Sequence, residues 1–407
     1  MSDTRATASP WRIVVALGIT QIVSWGTLYY AIVLLIDPLS RAVQATPATV
    51  VGAFSVALLV AGLLSSPVGS LIDRHGGRAV MTLGSVLCAL LLWRLPHVGS
   101  VAELYLLWAG LGVAMAATLY DPAFAVLAQV FRERQRKAIT MLTLFGGFAS
   151  TVFWPLTQTL VARFGWQDAV LMLAAINLLV CVPLHALVLP AGASNPAPRA
   201  AKAVNRGALH AVLRDPSFYW LCAAFTGNSL VFSAMSIHLI GVLEGKGLST
   251  AEAAWLGALI GPIQVLGRIL EFTFLSRASA SRVGILAMWL LPVSLGLLGI
   301  GSGYALLGLF ALLYGMGNGV ITIVRGAIPV ELYGAAHYGA VNGAMATPVL
   351  LAKAAGPIAA SLAFAGVGIG NALVLTLAAV AAAAAALFTL TVMRPPARRA
   401  APAAPGA

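Results

Sequence analysis

The residues able to do chemistry in this sequence are charged side chains set inside long apolar runs. Asp121 stands in Leu119-Tyr120-Asp121-Pro122-Ala123-Phe124. An ionised carboxylate in a bilayer core costs a few kcal/mol unless it is paired or wet. A carboxyl whose protonation follows its surroundings is what proton coupling needs. The competing reading is an Asp that satisfies backbone freed by Pro122, or that pairs with an arginine. A second cluster is Gln264, Arg268 and Glu271. Gln264 and Arg268 are i,i+4 and share a helix face, while Arg268 and Glu271 are i,i+3 and able to pair. Arg268 is permanently charged and bidentate, so it suits a carboxylate ligand. Lys353 lies mid-run in Val-Leu-Leu-Ala-Lys353-Ala-Ala-Gly356-Pro357 and needs a partner or a wet cavity. Arg325 lies nearer the end of its run, where snorkelling accounts for it. Asn318, among Gly315, Gly317 and Gly319, sits where backbone can approach a cavity closely. These groups fit the binding of an anion and the movement of a proton.

The elements that must position them are membrane helices. The 407-residue chain is 60% hydrophobic and 9% charged, with mean hydropathy +0.95, which excludes a soluble domain of this length. Twelve segments are long and apolar enough to cross a core of about 30 Å. They fall near 12–36, 48–71, 78–95, 103–130, 139–162, 168–190, 217–241, 253–275, 283–300, 303–328, 339–364 and 368–393. Met1–Pro10 is polar, and the first apolar segment is too long for the core of a cleavable leader. The net charge of +12 is not a nucleic-acid signal, because its placement follows the membrane. Arg41, Arg94, Arg163 and Lys246 fall in odd-numbered loops, and Arg268, Arg325 and Lys353 fall within helices. The other cations lie at the termini, in the even-numbered loops or in the central linker, which puts both termini in the cytoplasm of an inner-membrane protein. Cys88, Cys181 and Cys222 have no metal or redox spacing and read as small core residues. No metal or cofactor is expected. No metalloprotease, nucleophile-elbow or nucleotide-loop motif is present, so an enzyme is not expected.

Residues 191–212 turn abruptly to Ala, Gly, Pro and basic side chains and read as a cytoplasmic linker. They divide the chain into a first bundle (1–190) and a second (213–407) ending in an Ala/Pro/Arg-rich tail. A shift of about 203 residues superposes the halves loosely, the mark of an internal repeat. It carries Asp73-Arg74 onto Ser276-Arg277 and makes Gly315–Tyr333 an echo of helix four.

Between the second and third segments runs Gly69-Ser-Leu-Ile-Asp73-Arg74-His-Gly76-Gly77-Arg78. Gly69 allows close packing at the membrane edge. Asp73 can dock on the positive N-terminus of a helix in the other half. Gly76 and Gly77 permit a tight turn, and Arg74 and Arg78 hold the loop on the cytoplasmic side. This G-x-x-x-D-R-x-G-x-R run resembles the loop after the second helix of the major facilitator superfamily. The basic stretch Phe131–Ala138 and Phe164-Gly165-Trp166-Gln167 add to the resemblance, which is nearest to the monocarboxylate porter-like and oxalate–formate antiporter-like bacterial branch. It implies twelve transmembrane helices, all α, in two six-helix bundles related by a pseudo-two-fold axis, rocking around a central site.

In monocarboxylate porters an acid and an arginine sit four apart on helix eight. Here the arginine matches at Arg268, but Gln264 holds the acid's place, so Asp121 or Glu271 must supply proton coupling. The porters' helix-one lysine is replaced at about Tyr29. In this superfamily the helix-one stripe of Gln21, Ser24 and Thr27 faces the cavity, while Trp25, Tyr29 and Tyr30 read equally as an interfacial aromatic belt. The arginine on helix four and the full glycine–proline pattern on helix five of drug–proton antiporters are absent. The expectation is a monomeric, proton-coupled secondary transporter of a small organic anion, in contact with membrane lipid. The substrate residues would be Arg268, Gln264, Lys353, Tyr29, Asn318 and Gln21. The alternatives are an exporter of drugs or other hydrophobic compounds, or a sensor that keeps the fold without transport.

Overall fold

The computed structural model describes residues 10–131, 134–192, 212–335, 338–363 and 370–394. The expected linker and both tails lie almost wholly outside these residues, as do Arg132 and Glu133 of the basic stretch. The described chain is helical; ten stretches are long and apolar enough to cross a membrane, and with Gln135–Val188 divided at Gly165 and Tyr338–Ala363 added they make twelve crossings. The first six crossings are α1 (Trp11–Ala42), α2 (Pro47–His75), α3 (Gly77–Arg94), α4 (Val101–Val130), and α5 and α6, which share the stretch Gln135–Val188 and join at Gly165. The second six are α7 (Pro216–Glu244), α8 (Thr250–Phe274), α9 (Ala280–Ile300), α10 (Tyr304–Tyr333), α11 (Tyr338–Ala363) and α12 (Asn371–Met393).

Local sequence explains the ends. Thr46 and Ser100 accept from the amides of Thr49 and Glu103, and Pro47 and Pro216 occupy first-turn positions where a missing N–H costs nothing. Gly165 joins α5 to α6 with φ 82°, a conformation side chains resist. At α8, Ser249 and Glu252 cap each other reciprocally, and the Tyr304 hydroxyl donates to Glu252 Oε1 at 2.6 Å. Hydrogen bonds from Ser249 and then Tyr304 hold the Glu252 carboxyl down at about 2.

Apolar cores fill both bundles, one of them continuing from the first bundle to Ile323 and Tyr338 of the second, and the two bundles repeat one packing scheme. Helix α2 packs on α4, α3 on α4 and α6, and α1 on α5 and α6; correspondingly α8 packs on α10, α9 on α10 and α12, and α7 on α11 and α12. This is the pseudo-two-fold arrangement of the internal repeat. Side chains on the outer surface are apolar, with Leu106, Leu187, Phe274 and Ile300 all exposed, as a lipid-facing surface requires.

An even number of crossings leaves Trp11 and Met393 on one face, called here the terminal face; the other is the distal face. The bundles meet mainly through α2 on α11, α5 on α8 and α10, and α4 on α10 and α11. The distal segment Ile32–Ala42 of α1 packs instead on α2 and on Ala149–Ile176 of its own bundle. The molecule is therefore closed on its terminal side.

Candidate functional site

The closure is built from small residues. A Cβ on Gly69 would lie 1.9 Å from the carbonyl oxygen of Gly339, and one on Gly343 2.3 Å from that of Ser65. Gly62 faces Thr347 and Leu350. Backbones can approach this closely only without side chains. Asp73 completes the seam: Gly339 and Ala340 donate their amides to its two carboxylate oxygens at 3.0 Å each. These are first-turn N–H groups of α11, which have no acceptor within the helix and lie at its positive end. Arg78 donates to Leu189 O and ties α3 to the end of α6, while Gly76 caps α2 with φ 81°.

A second lock joins α5 to α8. Arg136 pairs with Glu271 and donates to the carbonyls of Ala278 and, at 3.1 Å, Leu275. Thr140 Oγ1 donates to Glu271 Oε2 at 3.2 Å. The repeat shift carries Arg136 onto Gly339 and Asp73 onto Ser276. The two locks are thus copies with inverted chemistry: an acid on helix-start amides, and an arginine on helix-end carbonyls.

The embedded charges are distributed differently from the pairing that helix spacing suggests. Glu271 pairs with Arg136, not with Arg268. Asp121 pairs with Arg325 across the bundles, and Asn342 Nδ2 donates to Asp121 Oδ1 at 3.0 Å. Arg325 therefore has a partner inside the protein and does not simply snorkel. Lys353 lies within electrostatic reach of Asp121 and Arg325. Its ammonium makes no hydrogen bond or ion pair among the described residues. The α2–α11 register pairs 69 with 339, 65 with 343 and 62 with 347, so Lys353 falls level with about Ser55, just beyond the tight part of the seam.

Arg268 is buried at 6% exposure and touches no carboxylate among the described residues. Its Nε donates to Gly319 O at 3.3 Å and its Nη1 to Thr143 O at 3.0 Å. Nη2 has no partner among the described residues and is not sealed in. Gly147 makes the room, since a Cβ there would lie 2.4 Å from Arg268 Nη1. Arg268 is also within electrostatic reach of the Tyr30 and Tyr120 hydroxyls. Tyr29 stacks edge-on against Tyr30 and Phe54 in the same aromatic group. Gln264 and Asn318 are half-buried and their side chains have no hydrogen-bond partner among the described residues.

Gln21 is placed elsewhere. Pro122 has no N–H to donate to the carbonyl of Thr118, four residues back, and α4 breaks at Leu119, whose backbone is extended. Gln21 Nε2 donates to that Thr118 carbonyl at 2.8 Å and its Oε1 accepts from Trp25. It is wholly buried as a structural prop. The rest of its stripe also turns into the bundle: Thr27 accepts from Asn177 of α6 at 2.6 Å, and Ser24 contacts Cys181.

Sequence reading missed Arg136, Asn342 and the Gly339–Gly343 seam. The small residues spaced four apart at both 339/343 and 65/69 were the available signal.

A family model described as Major Facilitator Superfamily matches residues 17–357. The chain belongs to the major facilitator superfamily. It is 26% identical to monocarboxylate transporter 13 of Rattus norvegicus over 272 residues, which is 66% of this chain and 63% of that protein. The chain thus spans less than two thirds of that relative's length. Its fold matches that of the human organic anion transporter MFSD10 with TM-score 0.72 and 18% identity, covering 94% of this chain and 100% of that one. It matches the transporter FucP in the outward conformation with TM-score 0.73 and 15% identity, covering 92% and 98%. The superfamily fold accounts for the two six-helix bundles.

Proposed function

We propose that this superfamily member is a secondary active transporter that moves a small organic anion across the inner membrane by alternating access, coupled to protons. The first bundle would span 1–190 and the second 213–407, joined by a cytoplasmic linker at 191–212. The terminal face would be cytoplasmic, in keeping with its basic loops. The observation that carries the reading is Arg268, a buried arginine held by two backbone carbonyls, with no carboxylate partner and Nη2 left over among the described residues. A permanent cation in such a place favours an anionic ligand. Lys353, without an ion pair of its own among the described residues, adds a second embedded cation. The likeness to a monocarboxylate transporter supports the same class.

Asp121 serves coupling. With the terminal side closed it pairs with Arg325 of the other bundle, and parting the bundles there breaks that pair, which ties its coupling role to the opening motion. Glu271, already engaged by Arg136, serves the lock. Uptake of labelled carboxylates by proteoliposomes, with and without an imposed pH gradient, tests the reading. Accumulation that follows the gradient and vanishes in Arg268→Gln is expected; accumulation unaffected by that substitution would refute it.

A further inference from the structure

The anion site proposed above carries more than a cation, and its other half comes from the opposite bundle. Trp25 stands 5.2 Å from Tyr29 and 5.0 Å from Tyr120, ring centroid to centroid, and Tyr29 stands 5.3 Å from Tyr30. All four side chains are half-buried, so their rings are neither lost in the core nor free at the surface. Trp154 extends the group 5.8 Å from Tyr30, and its indole N–H donates to the Tyr30 carbonyl at 3.2 Å. That carbonyl belongs to the π-helical turn Gly26–Tyr30, an uncommon local geometry that turns successive aromatic side chains into one group.

The hydroxyls of Tyr29, Tyr30 and Tyr120 make no hydrogen bond among the described residues, and none of them is sealed in. Three neighbouring phenols with no partner among the described residues are each able to bond a ligand or water. They lie close together: Tyr29 with Tyr30, Tyr30 with Tyr120, and both Tyr30 and Tyr120 with Arg268 are within electrostatic reach. The Gly146–Gly147 pair brings the two bundles' groups side by side. A Cβ on Gly146 would lie 2.2 Å from the Tyr120 hydroxyl, and one on Gly147 2.4 Å from Arg268 Nη1.

We infer that the substrate is a carboxylate borne on a flat, unsaturated ring, an arenecarboxylate of about benzoate size, its carboxylate on Arg268 Nη2 and the phenol hydroxyls and its ring against Trp25, Tyr29 and Tyr120. This inference rests on the anion reading of the site. Aromatic faces and edges reward a planar π-body beyond the apolar area it buries. A very small acid such as lactate leaves those rings wet, and a saturated ring of similar size lacks the planar contact.

The test uses the full chain in nanodiscs and compares binding of benzoate, cyclohexanecarboxylate, lactate and benzamide by calorimetry. Benzoate is expected to bind about tenfold more tightly than cyclohexanecarboxylate and lactate, the scale of one aromatic pair, and more tightly than benzamide, which keeps the ring but lacks the charge. Tyr30→Phe and Tyr120→Phe keep the rings, remove only the hydroxyls, and are expected to weaken benzoate several-fold with the unfolding temperature unchanged. Equal affinity for benzoate, cyclohexanecarboxylate and lactate overturns the aromatic class and leaves the anion reading standing. Benzamide binding as tightly as benzoate, or no anion binding at all, overturns the anion reading and the aromatic class with it.

Discussion

Asp121 and Arg325 meet as an ion pair although 204 residues separate them. The halves of the chain superpose at a shift of about 203 residues, so the two partners hold equivalent places in the two bundles. Equivalent residues touch only close to the axis that relates them. The pair therefore lies where the bundles must part or turn when the closed side opens, and its separation is tied to that motion. Asp121→Asn is expected to abolish accumulation driven by a pH gradient while sparing exchange of substrate for substrate, measured in proteoliposomes. Concentrative uptake by this variant would make Asp121 structural.

Breaking the same pair leaves a partly buried charge without its partner. Arg325→Gln is expected to lower stability by roughly 2–4 kcal/mol, and the double variant Asp121→Asn/Arg325→Gln by less than the sum of the single effects. Thermal unfolding of the four proteins in one detergent checks this. Strict additivity would show that the two side chains do not interact.

The α2–α11 seam has no space for a methyl group. Gly339→Ala and Gly69→Ala are expected to force the terminal halves of these helices apart and to raise the accessibility of cysteines introduced there. Asp73→Asn, which keeps the shape but weakens the helix-end interaction by about 0.5–1 kcal/mol, is expected to slow transport while leaving expression intact. Wild-type transport in Asp73→Asn would remove the carboxylate from the closing device.

Lock and coupling are separable at Glu271. Glu271→Gln leaves Arg136 its two carbonyl acceptors, so turnover is expected to fall several-fold with the pH profile of uptake unchanged. A shifted pH profile would make Glu271 a coupling group.

Arg268→Lys keeps the charge but cannot hold Gly319 O and Thr143 O while presenting a free Nη2. Anion binding is expected to weaken by tenfold or more. Gly147→Ala, which crowds Nη1, is expected to act in the same direction, and calorimetry on both variants checks it.

At the start of α8, Glu252 titrates in the folded state at about 2 rather than 4.5. Its folded value is depressed, so its stabilising contribution is fully present above the ordinary value and is lost as pH falls through the folded one. The wild-type advantage over Glu252→Gln in unfolding temperature is expected to be constant near neutrality and to shrink between pH 4.5 and 2.

The sequence by itself determined the membrane class, the crossings, the repeat and the loop motif. A bilayer core admits only runs of apolar residues with internally satisfied backbone, and that requirement is written locally along the chain. The same cost made Asp121, Arg268 and Lys353 stand out. Tertiary structure decided which charge answers which. Helical spacing offered Glu271 to Arg268, yet Arg136 reached it first from another helix, and Arg325 took Asp121. Spacing assigns a residue to a helix face but does not say which distant helix lies against that face. Gln21 makes the same point at one residue: its polarity was legible, but its role follows from a carbonyl orphaned by Pro122 on a helix 97 residues away, which folding alone brings within reach.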